Sequence, residues 1–175
     1  MILTGSKIES ECKANRIYIS DFNKDRINPN SYNLRLHNEL YVYKDNIIDS
    51  KKKPEIEKIK IPESGLLLEP NKLYLGRTIE STHTDIYVPM LEGRSSIGRL
   101  GIFIHTTAGF GDIGFSGTWT LEISCIQPVI VYPSMEICQV YFMQYFGKND
   151  IKYNGKYNNQ KDIGISKMYD EIEAL

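Results

Sequence analysis

From residue 16 onward the chain is a succession of short runs in which apolar residues either alternate with polar ones or follow one another directly. Proline, glycine and asparagine separate the runs, a pattern that predicts short β-strands. The expected strands cover residues 17–19, 31–36, 40–43, 66–68, 73–77, 86–90, 102–106, 118–123, 129–132 and 137–145. Many short strands with few helices are typical of a sandwich, jelly roll or barrel. The sequence therefore predicts a mainly β protein.

Three segments depart from this strand pattern. Residues 4–13 place Ile8 and Cys12 on one helical face behind a threonine suited to capping, which predicts a short amphipathic helix. Residues 94–100 fit a helical turn or two between strands. Residues 49–62 are rich in lysine and isoleucine without a clear core pattern, so we interpret them as a surface excursion.

The chain changes character near its C-terminus. Residues 1–147 carry the strand pattern and fit a single β domain, whereas residues 148–175 are rich in lysine, asparagine, tyrosine and glycine. Such a tail is either disordered or a lid that orders over a ligand and excludes water. As a lid, it would offer the hydrogen-bonding and stacking groups of Tyr153, Lys156 and Gln160 to a nucleotide.

Composition narrows the class of protein. The 175 residues include 41% hydrophobic and 25% charged residues, as in ordinary soluble domains. A net charge of −1 gives no general positive field, so we expect no nucleic-acid partner. The chain has neither an apolar run of membrane-spanning length nor a secretory signal. Three widely spaced cysteines favour reduced thiols, which predicts a cytoplasmic protein without a membrane partner.

The segment at residues 92–99 has the composition of an anion cradle. A glycine followed by a serine pair at the start of a helical turn presents backbone N–H groups and hydroxyls together, and Arg94 adds a planar fork. A capped helix with solvated arginines is the alternative. Arg99 weakens that alternative because it lies between Ile97 and the apolar residues 100–104, where an arginine needs a partner.

The next two segments add an aspartate and a glutamate. In the glycine-rich loop at residues 106–117, Asp112 either satisfies turn amides or holds a sugar hydroxyl or a water. Phe110 and Phe115 either face a deoxyribose or belong to the core. Alternation over residues 118–123 places Glu122 opposite the apolar face, as a solvated glutamate or as a general base whose pKa burial would raise.

Five motifs occur in the order and approximate spacing of the dCTP deaminase family of the dUTPase-like superfamily: GRSSIGRLG, TAGFGDIGFSG, TLEI, PSMEICQV and YNGKYNNQ. NPNSYNLRL and the opening MILTG also resemble the N-terminal half of that family. The resemblance covers almost the whole chain. It implies a distorted jelly roll or β-barrel of the trimeric dUTPase type, with active sites shared between subunits of a homotrimer.

The same resemblance implies the reaction and its partners. The family hydrolyses dCTP to dUTP and ammonia without zinc, and Mg²⁺ accompanies the triphosphate. Some members also cleave dUTP to dUMP and pyrophosphate, and dTTP is a candidate feedback inhibitor. Thr107, Ala108, Gly109 and Phe110 resemble the bifunctional pattern, whereas Gly111 departs from the family's usual isoleucine or valine and leaves the second activity open.

Site residues follow from the motifs. By resemblance, Glu122 is the general base, and Ser95 and Arg99 organise the reacting water and the cytosine ring. Asp112 holds the sugar 3′-hydroxyl. The whole implied nucleotide site comprises Arg94, Ser95, Ser96, Ile97, Gly98, Arg99, Asp112, Thr120, Leu121, Glu122, Gln139, Tyr153, Lys156 and Gln160.

Several alternatives stand beside this interpretation. Residues 37–39 match half of the zinc-deaminase signature, but the chain has no C-x-x-C, so we expect no zinc. His83 and His105 have no clustered partners in the sequence and are interpreted as structural. The rival functions are a dUTP diphosphatase without deaminase activity and a non-catalytic nucleotide-binding regulator. A nucleic-acid-binding barrel is disfavoured by the net charge.

Overall fold

The computed structural model describes residues 1–105, 108–148 and 151–172. In these residues the chain forms eleven strands and three α-helices, with one 3₁₀ turn at Lys24–Arg26. The strands are β1 Tyr18–Ile19, β2 Tyr32–Arg35, β3 Glu39–Tyr43, β4 Ile56–Lys60, β5 Leu66–Leu68, β6 Tyr74–His83, β7 Val88–Gly93, β8 Ile102–Phe103, β9 Ser116–Cys125, β10 Val129–Val131 and β11 Glu136–Met143. The helices are α1 Gly5–Lys13, α2 Ser95–Gly98 and α3 Met168–Ile172.

The strands form open layers around one core. The main sheet has the order β4-β3-β6-β9-β8, with β1 paired to β6, and a second sheet has the order β2-β11-β7. A third, two-stranded sheet pairs β5 with β10. Leu121 of the main sheet and Leu34 and Phe142 of the second sheet belong to one cluster and are each 0% exposed. The predicted mainly β class is confirmed.

Helix α1 begins where the sequence predicts. Thr4 Oγ1 caps it by accepting a hydrogen bond from Lys7 N at 3.3 Å, and Ile8 lies in the core. The buried face also carries Glu11, which is fully buried and bonded to Arg16 Nε at 2.5 Å and Lys7 Nζ at 2.7 Å. These two cations, Arg16 above all, lower the pKa of Glu11 to about 2.

The central strand β6 is longer than predicted because polar residues are buried within it. The prediction ended at Arg77, but β6 continues to His83 through an irregularity between Arg77 and Ser81. Glu80 in this irregularity is 0% exposed and accepts hydrogen bonds from Arg35 Nε at 2.6 Å and Arg26 Nη1 at 3.2 Å. The pairing of Glu80 with Arg35 and Arg26 therefore allows β6 to continue through a polar segment whose sequence is typical of a loop.

The interpretation of residues 49–62 as a surface excursion is wrong in part. Residues 56–60 form the edge strand β4, in which Lys60 pairs with Glu39 and Ile59 with Leu40. Alternating charges are favoured on edge strands because they discourage pairing with another chain, and they hid the strand in the sequence. Of the strand predicted at residues 102–106, the structure has β8 at Ile102–Phe103, and residue 106 lies outside the described residues.

The described part of the C-terminal tail packs on β9. Thr118 N donates to Gln160 O at 2.9 Å, and Ile163 is buried beside Tyr41 and Leu75. The tail also contains α3, which the sequence analysis did not predict. Within the described ranges, none of the helices is long and apolar enough to cross a membrane.

Candidate active site

A cavity of about 400 Å³ lies between β9 and the tail. The outward face of β9 contributes Thr118, Thr120 and Glu122 to it, and the tail contributes Tyr157 and Gln160. Its remaining lining residues are Tyr43, Leu73, Leu75, Ala108, Phe115, Trp119, Gly164, Ile165 and Ser166. The cavity thus combines one carboxylate with polar groups and an apolar wall, as small-molecule sites do.

Glu122 is held by a histidine. The antiparallel register of β8 with β9 pairs Ile102 with Cys125 and Phe103 with Ser124, and continuing it brings His105 opposite Glu122. His105 Nδ1 hydrogen-bonds to Glu122 Oε2. The interpretation of His105 as a residue without a clustered partner is therefore wrong. The pairing of β8 with β9 is a tertiary contact, so no local sequence signal reveals it.

The surroundings of Glu122 are wetter than predicted. Its side chain is 38% exposed, whereas that of His105 is 8% exposed. The residues that the structure describes therefore do not enclose Glu122 in a dry pocket. A bound ligand or a neighbouring subunit would have to complete it.

Thr120 connects the tail to β9. Its Oγ1 accepts hydrogen bonds from Gln160 Nε2 at 2.6 Å and from Gly164 N at 2.9 Å. Gly117 permits this close approach, because a Cβ there would meet Gln160 O at 2.5 Å. The side chain of Leu121 is 0% exposed and lies in the core, so only its backbone is available to a ligand. The structure thus brings together Thr120, Glu122 and Gln160.

Asp112 and Tyr153 lie in an adjoining cavity of about 440 Å³. A third cavity of about 150 Å³ is lined by Asp112 and Tyr153 together with Phe115, Trp119 and Tyr157, which also line the Glu122 cavity. Asp112 is therefore an exposed carboxylate, and one of its two cavities shares wall residues with the Glu122 cavity.

The aromatic residues of the glycine-rich loop divide between the wall and the surface. The ring centroids of Phe115 and Trp119 are 4.8 Å apart, so Phe115 belongs to the cavity wall, while Phe110 is 67% exposed. Gly111 is required by packing, since a Cβ there would lie 2.4 Å from the Trp119 ring. The departure from the family's usual isoleucine or valine at position 111 therefore has a packing reason.

The predicted phosphate-binding segment lies outside the Glu122 cavity. Ser95, Ser96 and Arg99 are exposed on and around α2, and in the described part of the chain none of residues 94–99 lines that cavity. The prediction that Arg99 lies in apolar surroundings is wrong, because the turn of α2 buries Ile97 and directs Arg99 outward.

Arg94 and Gln139 lie together beside α2. Arg94 Nη1 donates to Glu136 O at 2.9 Å, and its Nη2 lies 3.1 Å from Glu136 Oε2. Gln139 Nε2 donates to Gly93 O at 2.9 Å. Lys156, by contrast, contacts Glu171 in α3 and does not line the Glu122 cavity. The single chain thus separates the predicted site residues into a cavity around Glu122 and the turn at residues 93–99.

The fold is a layered β architecture with a carboxylate cavity under a tail and a separate glycine–arginine–serine turn. A family model described as dCTP deaminase-like matches residues 2–145, so the chain belongs to the dCTP deaminase-like family.

Known relatives are similar over the full length. The chain is 57% identical to "dCTP deaminase, dUMP-forming" of Hathewaya histolytica, covering 99% of this chain and 100% of that protein. It is 60% identical to the protein of the same name from Clostridium beijerinckii, covering 99% of each.

A solved structure supports the fold. The 2′-deoxycytidine 5′-triphosphate deaminase from Agrobacterium tumefaciens superposes with a TM-score of 0.63 at 23% identity. The match covers 81% of this chain and 47% of that one, so the chain spans about half the length of that solved protein.

Proposed function

We propose that this protein hydrolyses dCTP to dUTP and ammonia and then cleaves dUTP to dUMP and pyrophosphate. The observation that carries the first step is Glu122, a carboxylate on the cavity face of β9 held by His105. The full-length relatives named dCTP deaminase, dUMP-forming, support both steps.

The carboxylate supplies the base for deamination. Glu122 takes a proton from water, the hydroxide adds to the pyrimidine C4, and the proton passes to the departing ammonia. Proton relay of this kind contributes roughly a hundred- to ten-thousand-fold to the rate. Within the described residues, no group of three or more histidine, cysteine or carboxylate side chains is arranged to hold a metal ion.

Cleavage of dUTP requires a second water near the α-phosphate. We assign this role to Asp112, an exposed carboxylate whose small cavity shares Phe115, Trp119 and Tyr157 with the lining of the Glu122 cavity. Gly109 packs against the backbone of Leu91, where a Cβ would lie 2.5 Å from Leu91 O, so close packing requires glycine at this position of the motif. Thr107 of the bifunctional motif lies outside the described residues.

A homotrimer would unite the two halves of the site. Next to the exposed residues of α2, the apolar side chains of Leu100, Phe103 and Ile126 are 43%, 49% and 71% exposed. Burial of such side chains drives association, and closed symmetric assemblies are common. A neighbouring subunit would then present Ser95 and Arg99 to the Glu122 cavity.

The remaining partners follow from the chemistry of the substrate. Mg²⁺ prefers oxygen ligands and is commonly bound through substrate phosphates, which suits the exposed hydroxyls of Ser95 and Ser96. As a pyrimidine deoxynucleotide, dTTP would compete for the same cavity. Cys12, Cys125 and Cys138 are free thiols, which suits the reducing cytoplasm.

One experiment tests the proposed reaction. Purified protein is incubated with dCTP and Mg²⁺, and ammonia, dUTP, dUMP and pyrophosphate are measured. Ammonia with dUMP and pyrophosphate supports both reactions, whereas accumulated dUTP removes the second. Glu122→Gln should abolish ammonia release and leave nucleotide binding intact; deamination by this variant at the wild-type rate would remove Glu122 as the base.

A second candidate is a nucleotide-binding regulator without catalysis. The partial exposure of Glu122 and the outward direction of Arg99 favour it in the single chain. The same incubation separates the two functions, because a regulator binds dCTP or dUTP without releasing ammonia.

A further inference from the structure

Two hydrogen-bonded paths connect the segment at residues 28–33 with the phosphate-binding turn. In the first path, Asn28 Nδ2 donates to Ser31 Oγ at 3.0 Å, and Ser31 Oγ donates to Gln139 Oε1 at 2.6 Å. Gln139 Nε2 then donates to Gly93 O at 2.9 Å. This path ends on the carbonyl that immediately precedes Arg94.

The second path ends on the guanidinium of Arg94. Asn28 Nδ2 also donates to Asn33 Oδ1 at 2.7 Å, and Asn33 Nδ2 donates to Glu136 Oε2 at 2.9 Å. Glu136 in turn accepts from Arg94, through its carbonyl at 2.9 Å and its carboxylate at 3.1 Å. Both paths start at Asn28, so they form one unit, called here the Asn28 network (Asn28, Ser31, Asn33, Glu136 and Gln139).

The Asn28 network is directional, and its residues Ser31 and Asn33 are buried, whereas Asn28, Glu136 and Gln139 are half-buried. Ser31 and Asn33 are 4% and 5% exposed, where hydrogen bonds are stronger than in water. Asn33 accepts with its oxygen and donates to a carboxylate with its nitrogen, so an aspartate there would oppose Glu136. The network also crosses three strands, because Gln139 of β11 pairs with Asn33 of β2 and Glu92 of β7.

We propose that Asn28, Ser31 and Asn33 are positioning residues for the triphosphate. They fix the Gly93 carbonyl and the Arg94 guanidinium before the ligand arrives, which preorganises the turn for the β- and γ-phosphates. This inference rests on the proposed function, because it concerns how the same site holds its nucleotide.

The test compares dUTP, supplied throughout as its non-hydrolysable α,β-imido analogue so that the protein cannot cleave it, with dUMP in calorimetry, because the ratio of their dissociation constants isolates the β- and γ-phosphates. In Asn33→Asp, two carboxylates face each other and Arg94 is displaced. We expect the preference for dUTP over dUMP to fall about tenfold, with dUMP affinity changed less than about twofold. In the double variant Asn33→Asp with Glu136→Gln, an amide again faces a carboxylate, and the preference should return.

Each outcome decides the proposal. The proposal would be overturned if the preference for dUTP over dUMP were unchanged in Asn33→Asp, or if dUMP affinity fell as much as dUTP affinity. It would also be overturned if the double variant did not recover the preference. Wild-type protein that binds dUTP no tighter than dUMP would also overturn it. Ammonia release from dCTP by the wild-type protein tests the proposed function separately, so the two failures are distinguishable.

Two further variants guard against a folding defect. If Asn33→Asp does not fold, Ser31→Ala takes its place, because it interrupts the first path without adding a charge. Ser31→Ala should lower the preference for dUTP over dUMP, and an unchanged preference would overturn the proposal. Asn30→Ala is the matched control, since Asn30 is an exposed asparagine of the same segment. It should change the preference less than about twofold; an equal loss in this control would show that the effect is not specific to the network.

Discussion

His105 Nδ1 hydrogen-bonds to Glu122 Oε2, so an imidazole that is 8% exposed holds a carboxylate that is 38% exposed. One carboxylate oxygen is thereby fixed against the protein, and the other, Oε1, is left for a water or a substrate. The histidine thus acts on the orientation of the proposed base.

His105→Asn should lower kcat for ammonia release from dCTP about tenfold and change KM less than about twofold. The reason is that Glu122 loses the group that orients it while the nucleotide contacts remain. Steady-state assays at several dCTP concentrations measure both constants. His83→Asn is the matched control, since His83 Nδ1 contacts the Phe115 carbonyl at 3.2 Å instead of a carboxylate of the cavity. Wild-type kcat in His105→Asn would contradict this prediction.

The packing of the C-terminal tail on β9 should depend on the hydroxyl of Thr120. Thr120→Val removes the acceptor of Gln160 Nε2 and Gly164 N while keeping the shape of the side chain. We expect KM for dCTP to rise about tenfold, because removal of the hydroxyl leaves Gln160 Nε2 and Gly164 N without their hydrogen-bond acceptor. Limited proteolysis followed by mass spectrometry should show faster cleavage within residues 151–165. Thr118→Val should have a smaller effect, because the Thr118 hydroxyl lies 3.4 Å from Gln160 O; equal effects in the two variants would argue against a special role of Thr120.

Local sequence patterns predicted the elements that depend on local forces. Helix α1 has a capping threonine and a single apolar face, and it begins within one residue of its expected position. Strands β5 and β10 are apolar runs bounded by turn residues, and both occur as expected. The resemblance to a family of known fold supplied the layered architecture, which these patterns alone did not distinguish from a barrel.

The missed features depend on contacts between distant residues. The charge of Glu80 is typical of a loop residue, and β6 accommodates it because Arg26 and Arg35 form ion pairs with it. His105 gains its partner only through the pairing of β8 with β9. The apolar neighbours of Arg99 in sequence predict that its charge needs a partner, yet the turn of α2 directs Arg99 outward. A short sequence window contains none of this information.

Acid should destabilise the protein through Glu11. The pKa of this carboxyl falls from 4.5 to about 2 on folding, because Arg16 and Lys7 stabilise its charged form. Its contribution is therefore complete above pH 4.5 and is lost as the pH falls toward 2. Glu11→Gln should lower the free energy of unfolding at pH 7 by about 1–3 kcal/mol. Urea titrations from pH 7 to pH 2 should show the two proteins converging at low pH; a constant difference would contradict the assignment.

Mixing two inactive variants should restore activity if the site is shared between subunits. In the single chain, Glu122 lines the cavity and Arg99 does not, so a shared site takes one residue from each of two neighbours. Arg99→Ala and Glu122→Gln should each be inactive alone. When the two variants are refolded together in equal amounts, half of the subunits carry an intact Arg99 and the other half an intact Glu122. A site that takes one residue from each of two neighbours is then complete in about one case in four. We therefore expect ammonia release at about a quarter of the wild-type rate, while a mixture of Glu122→Gln with Glu122→Ala stays inactive. Light scattering confirms that the mixed protein has the wild-type mass, and an inactive mixture of that mass would show that Arg99 and Glu122 do not act across a subunit boundary.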